Sequence, residues 1–85
     1  MTHTDKAQAM IAFLRTRVLR NAPTEILEDT PLVSSGLVDS FALIEVLLQL
    51  EKVTGRKISA SAVRPSDLDT VAEMLCTAER IGVAH

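Results

Sequence analysis

A long apolar pattern from residue 40 to residue 54 constrains the fold more than any other feature of the sequence. The spacing i, i+3, i+4, i+7, which indicates a helix face packed on a core, is followed by Leu43, Val46, Leu47 and Leu50. Asp39 before this run is a good N-cap, and Gly55 after it is a natural C-cap. We therefore predict a helix from Ser40 to about Thr54, which must pack economically because a chain of 85 residues has a small core.

The same helix carries a second apolar line beside the first. Phe41, Ile44 and Leu48 form this line, and Glu45 lies next to it. One helix face suffices for the core of so small a bundle, so we expect the second line to be partly exposed. An exposed apolar patch rimmed by charge is typical of a docking surface. The alternative is that Phe41 and Ile44 pack under the preceding loop as core residues.

The first helix is predicted over Asp5–Arg20 and is ended by Asn21 and Pro23. Its apolar face consists of Ala7, Met10, Ile11, Leu14 and Val18. The stretch from there to residue 38 is long for a connection in a small domain. Its apolar residues predict a loop packed onto the core, with one possible helical turn at Thr24–Leu27; they are Ile26, Leu27, Leu32, Leu37 and Val38.

After Gly55 we expect a loop with one short helical turn, anchored by Ile58 and Val63. Residues 65–69 are of the types that form turns, and we expect a turn there. Thr70 and Glu73 match a capping box. The helix that they begin ends near Gly82, and its predicted core residues are Val71, Met74, Leu75 and Ala78. No segment has a convincing strand pattern. The prediction is an all-α fold with three long helices and one short helix, in a single domain over residues 1–85.

Composition excludes several classes of function. The net charge of −2 argues against a nucleic-acid binder, which needs a basic face. A single cysteine, Cys76, cannot form an internal disulfide, and His3 and His85 lack metal-ligand spacing, so we predict no metal site. Neither a membrane span nor a signal peptide is recognisable, and we expect a cytoplasmic monomer.

The charges are unevenly distributed along the chain. Residues 21–54 hold six carboxylates and one cation, Lys52, whereas residues 1–20 carry a net charge of +3 and residues 55–85 sum to zero. The acidic middle surrounds the start of the long helix. Such a segment attracts partners with basic docking surfaces, or is simply a solvated acidic loop.

Asp39 and Ser40 place a hydroxyl at the first position of that helix. A phosphate ester on Ser40 would lie at the positive end of the helix dipole, where backbone N–H groups favour negative charge. The alternative is that Asp39 and Ser40 are only a capping pair.

The segment Gly36–Glu51, which begins Gly-Leu-Val-Asp-Ser-Phe, resembles the prosthetic-group segment of the acyl and peptidyl carrier protein family. The order of helices and loops matches that family over nearly the whole chain. The resemblance implies a small four-helix bundle and covalent 4′-phosphopantetheine on Ser40. It also implies that Asp39 coordinates Mg²⁺ in the complex with a phosphopantetheinyl transferase, and that Phe41, Ile44, Glu45 and Leu48 contact partner enzymes.

The function implied by this resemblance is display of a cargo, not catalysis. A discrete carrier holds an acyl or aminoacyl group as a thioester on the terminal thiol of its arm. A separate adenylate-forming ligase or an acyltransferase loads it, and downstream biosynthetic enzymes use it. Leu37 stands where fatty-acid-type carriers have glycine, so the partner system stays open. The alternatives are a helical adaptor without a prosthetic group and, more remotely, an enzyme with Ser40 as nucleophile.

Overall fold

The computed structural model describes residues 2–18 and 25–84. It contains three α-helices: α1 (His3–Phe13), α2 (Ser40–Thr54) and α3 (Val71–Ile81). A π-helical segment, Leu14–Val18, extends α1, and two 3₁₀ turns lie at Ala60–Ala62 and Pro65–Leu68. The predicted all-α class is confirmed, since these ranges are mostly helical. A count of four helices is not confirmed, because two separate 3₁₀ turns stand where one short helix was expected.

Helix α1 begins two residues before the predicted start, because Thr2 caps it. The Asp5 N–H donates to Thr2 Oγ1 at 3.1 Å, and the Thr2 N–H donates to Asp5 Oδ2 at 3.4 Å. This reciprocal pair satisfies two N–H groups that the helix cannot. Of the predicted face, Ala7, Met10 and Leu14 are fully buried, and Ile11 and Val18 partly so. The predicted helix end, at residues 20–23, lies outside the described residues.

Helix α2 has the bounds that the sequence predicts, and both predicted caps are confirmed. Asp39 Oδ1 accepts from the Ala42 N–H at 2.8 Å. At the other end Gly55 adopts the left-handed conformation, with φ +68°, and its N–H donates to the Glu51 carbonyl at 2.9 Å. Glycine suits this position because it has no Cβ to oppose a positive φ.

The loop before α2 packs on the core through Ile26, Leu32 and Val38, which are buried, and through Leu37, which is half-buried. Leu27 departs from the prediction, because its side chain is 52 % exposed. Residues 25–27 form no helical turn, and Thr24 lies outside the described residues. The loop also contacts α3 directly, since the Ala72 N–H donates to the Glu28 carbonyl at 3.0 Å.

Two short extended segments pair in a way that no local pattern predicts. Strand β1 (Arg56–Lys57) follows the Gly55 cap and runs antiparallel to β2 (Val83–Ala84), which follows α3. The pairing results from the packing of α2 and α3, which brings the ends of the two helices together. Beyond β1, Ile58 is buried and Val63 is half-buried, as the predicted anchors should be.

Helix α3 buries the four predicted residues Val71, Met74, Leu75 and Ala78. Thr77 is buried as well, and its Oγ1 donates to the Asp67 carbonyl at 3.0 Å. Thr70 Oγ1 accepts from the Glu73 N–H at 3.0 Å, so Thr70 is the N-cap as predicted. In the described residues the return bond, from the Thr70 N–H to the Glu73 carboxylate, is not formed, so this half of the predicted capping box is absent.

All three helices and the loop before α2 contribute to one cluster of buried apolar residues. Val46 and Leu50 are the fully buried contributions of α2. Because one face of α2 is held in this cluster, the opposite face is presented to solvent. Within the described ranges, none of the helices has the length and apolar character needed to cross a membrane.

Candidate functional site

Ser40 is the first residue of α2, and its side chain is exposed. The first intrahelical bond of α2 runs from the Leu43 N–H to the Asp39 carbonyl at 3.1 Å. The Asp39 carboxylate accepts a hydrogen bond from the Ala42 N–H. The N–H groups of Ser40 and Phe41 come before these two donors and have no acceptor within the helix. An accessible hydroxyl therefore lies beside backbone donors at the positive end of a helix of 15 residues.

The predicted docking residues form an exposed line along α2. Phe41 is 84 % exposed, Ile44 62 % and Leu48 55 %, and Glu45 is exposed beside them. This exposure excludes the alternative that Phe41 and Ile44 are core residues beneath the loop. Three large apolar side chains in water, starting one residue after Ser40, are a costly arrangement for a helix without a partner.

The four predicted core residues of α2 differ in how deeply they are buried. Val46 and Leu50 are fully buried, but Leu43 and Leu47 are only half-buried. These two leucines line an open, mostly apolar groove of about 160 Å³ between α2 and the 3₁₀ turns. The other lining residues are Ile44, Ala60, Val63, Arg64, Pro65 and Leu68. Periodicity did not predict this groove, because the segment across from α2 decides which side of the helix is covered.

A second, wider opening lies between α1 and α2. Phe13, which is not part of the predicted apolar face of α1, lines it together with Leu48. Glu45 lies in the same opening as Arg17 and Lys52, which are exposed cations. The surface beside Glu45 is therefore not uniformly acidic, although the segment 21–54 carries a net negative charge.

Asp69 is a residue that sequence reasoning treated only as part of a turn, yet it binds the loop before α2. Its Oδ1 accepts from the N–H groups of Val33 at 2.8 Å, Ser34 at 2.9 Å and Leu32 at 3.2 Å. Its Oδ2 accepts from Ser34 Oγ at 2.9 Å. These bonds, that of the Ser34 N–H foremost, hold the pKa of Asp69 below its usual value, although partial burial acts to raise it.

Among the described residues, no histidine or cysteine side chain forms a hydrogen bond with Ser40. His3 Nε2 lies 2.9 Å from Glu28 Oε1 on the surface, and His85 is outside the described residues. Cys76 is a free, exposed thiol on α3. Among residues 2–18 and 25–84 there is no group of three or more metal-ligating side chains.

Comparison with protein families matches the model of the phosphopantetheine attachment site to residues 14–75. The match includes the loop before α2, Asp39 and Ser40, and all of α2. A search of curated proteins and a search of solved structures found no significant match. Since the matched segment spans most of the chain, the chain belongs to the phosphopantetheine attachment site family, whose members are carrier proteins with covalently bound 4′-phosphopantetheine.

Proposed function

We propose that Ser40 is the attachment site, in a single carrier domain over residues 1–85. The observation that carries this proposal is the exposed hydroxyl at the first position of α2, directly after the Asp39 cap. An attachment site must admit a transferase to its hydroxyl. Exposure of Ser40 meets that requirement, and Ser40 Oγ takes part in none of the side-chain hydrogen bonds of the described residues.

The same position suits the group that is attached. A phosphodiester on Ser40 would lie next to the N–H groups of Ser40 and Phe41, and the helix dipole favours a negative charge there. Asp39 binds the Ala42 N–H through Oδ1 alone. The family resemblance suggests that its carboxylate also takes part in Mg²⁺ coordination in the transferase complex.

The activity that follows is that of a discrete acyl or aminoacyl carrier, not of an enzyme. When bound, the arm supplies a terminal thiol that holds the cargo as a thioester. The chain itself contributes display of the arm and selection of partners. We expect these partners to be a phosphopantetheinyl transferase, an adenylate-forming ligase or an acyltransferase, and the biosynthetic enzymes that consume the cargo.

Partner selection is assigned to the exposed line of α2, Phe41, Ile44 and Leu48, together with Glu45. The line begins next to Ser40, so a protein that contacts it is also close to the attached arm. Burial of these three side chains would stabilise a complex by about 1.5–3 kcal/mol for each side chain fully removed from water, before the costs of association.

Intact-mass measurement tests the attachment site. The chain is incubated with coenzyme A and a promiscuous phosphopantetheinyl transferase. Wild type should gain one phosphopantetheine and Ser40→Ala none, while Ser66→Ala, which changes an exposed serine on a 3₁₀ turn, should gain one. Modification of Ser40→Ala would assign attachment to another residue. An unmodified wild type would favour an adaptor that uses the exposed line of α2 without a prosthetic group.

A further inference from the structure

We propose that Asp69 is a positioning residue for the loading of Ser40, acting through the loop of residues 31–38. This inference rests on the proposed attachment of phosphopantetheine to Ser40. Asp69 lies just before α3 and far from Ser40 in sequence, and its carboxylate accepts four hydrogen bonds from three consecutive residues of the loop. We call this arrangement the Asp69 clasp.

Further hydrogen bonds pass from the clasp towards Ser40. The Leu32 carbonyl accepts from the Val38 N–H at 2.9 Å, which closes the loop on itself. Within the loop the Gly36 N–H donates to the Val33 carbonyl at 3.1 Å, and Gly36 has the positive φ of +83° that this turn needs. Val38 is buried directly before Asp39. The position of the loop therefore determines how the chain enters α2.

Loss of the clasp should loosen the loop without unfolding the chain. Leu32 and Val38 remain buried. The bonds from the Leu32 N–H to the Asp69 carbonyl and from the Ala72 N–H to the Glu28 carbonyl use backbone atoms only. By contrast, the Val33 and Ser34 N–H groups have the Asp69 carboxylate as their partner. Without this carboxylate the two N–H groups can bond only to water, and the middle of the loop becomes more mobile.

A looser loop affects binding to the transferase more than the chemical step. The transferase must receive Asp39 and Ser40 in one arrangement. If that arrangement is populated only a fraction of the time, the apparent affinity falls by that fraction. The expected kinetic result is a higher KM with kcat unchanged.

Asp67 supplies a matched control. It lies in the adjacent 3₁₀ turn and also accepts from a backbone N–H, that of Arg64 at 2.9 Å, but in the described structure none of its hydrogen bonds reaches the loop of residues 31–38. Asp69→Asn is the conservative variant, because its amide oxygen can still accept from Val33 and Ser34. All variants are assayed in the apo form at a temperature where circular dichroism shows them to be folded.

In Asp69→Ala we expect KM for loading to rise about tenfold, equivalent to about 1.4 kcal/mol, with kcat within about twofold. Asp69→Asn should recover most of the loss, and Asp67→Ala should keep the wild-type KM. Amide hydrogen exchange should show faster exchange at Val33 and Ser34 in Asp69→Ala only. A wild-type KM in Asp69→Ala, with wild type loaded at Ser40, would overturn the positioning role.

The exchange measurement separates this inference from the proposed attachment site, because it needs no transferase. If Ser40→Ala is still modified, the attachment site is wrong, whatever Asp69 does. If Asp69→Ala and Asp67→Ala raise KM equally, Asp69 has only a general effect on stability, and the inference fails while the attachment site stands.

Discussion

The carboxylate of Glu51 accepts a hydrogen bond from the backbone N–H of Ile58, with 2.8 Å between Oε2 and N. The carbonyl of the same residue accepts from the Gly55 N–H at 2.9 Å. Glu51 therefore binds both the helix cap and the segment that follows it. Because Ile58 is buried, this pair holds the C-terminal end of α2 against the core, while the opposite end presents Ser40.

Glu51→Ala should lower the free energy of unfolding by about 1–3 kcal/mol, since the half-buried Ile58 N–H loses a charged acceptor. Glu51→Gln keeps an acceptor oxygen and should lose clearly less. Urea denaturation monitored by circular dichroism measures both. Equal losses in the two variants would mean that the carboxylate charge, and not the hydrogen bond, stabilises this turn.

Substitutions along α2 should separate core residues from docking residues. Leu50→Ala should cost about 2–5 kcal/mol, as truncation of a fully buried leucine does. Ile44→Ala should cost less than about 1 kcal/mol but weaken reactions with partner enzymes. Leu47→Ala should fall between them, because Leu47 is half-buried. Thermal melts that rank Ile44→Ala as the most damaging would contradict this assignment of helix faces.

Two glycines should respond to alanine for different reasons. At Gly55 an added Cβ meets nothing within 4 Å, and the cost is only the left-handed backbone, about 1 kcal/mol. At Gly82 the backbone is ordinary, but an added Cβ collides with the Ala78 carbonyl oxygen and presses on the Arg56 side chain. Gly82→Ala should therefore be the more destabilising change in denaturant melts, and the reverse order would contradict the close packing at the end of α3.

The lowered pKa of Asp69 predicts a pH dependence of stability with a definite sign. A carboxyl group with a depressed folded-state pKa contributes stability above its unfolded pKa, and this contribution is lost as pH falls through the folded value. At neutral pH the free energy of unfolding should therefore be higher for wild type than for Asp69→Asn. This difference should shrink below about pH 4, the ordinary pKa of an aspartate side chain. Denaturation of both proteins across a pH series checks this. A gap that is constant with pH would exclude a contribution from the ionised carboxylate.

Substitution of Glu45 tests whether negative charge on α2 speeds association with partners that have basic surfaces. Glu45→Lys should slow association at low salt, and its difference from wild type should narrow as salt screens charges over about 10 Å. Glu79→Lys, an exposed position on α3, is the control and should change little. Stopped-flow association with a cognate partner measures both. Because Arg17 and Lys52 line the same opening as Glu45, a flat salt response of wild type would assign docking to the apolar line of α2.

Features that depend on neighbouring residues could be predicted from the sequence. Asp39 and Gly55 set the bounds of α2, because capping bonds join atoms a few residues apart. The 3.6-residue period assigned Val46 and Leu50 to the core and put Phe41 on a second line that was expected to be partly exposed. The resemblance around Ser40 pointed to the family that the comparison of residues 14–75 confirms.

Features that depend on distant segments could not be predicted in this way, because they follow from how the chain packs. Asp69 binds Ser34 across 35 positions of the chain, and β1 pairs with β2 only because α2 and α3 pack together. Leu27 is exposed and Leu47 half-buried for the same kind of reason. A repeat pattern says which residues share a face, but the elements packed on that face decide how much of it is removed from water.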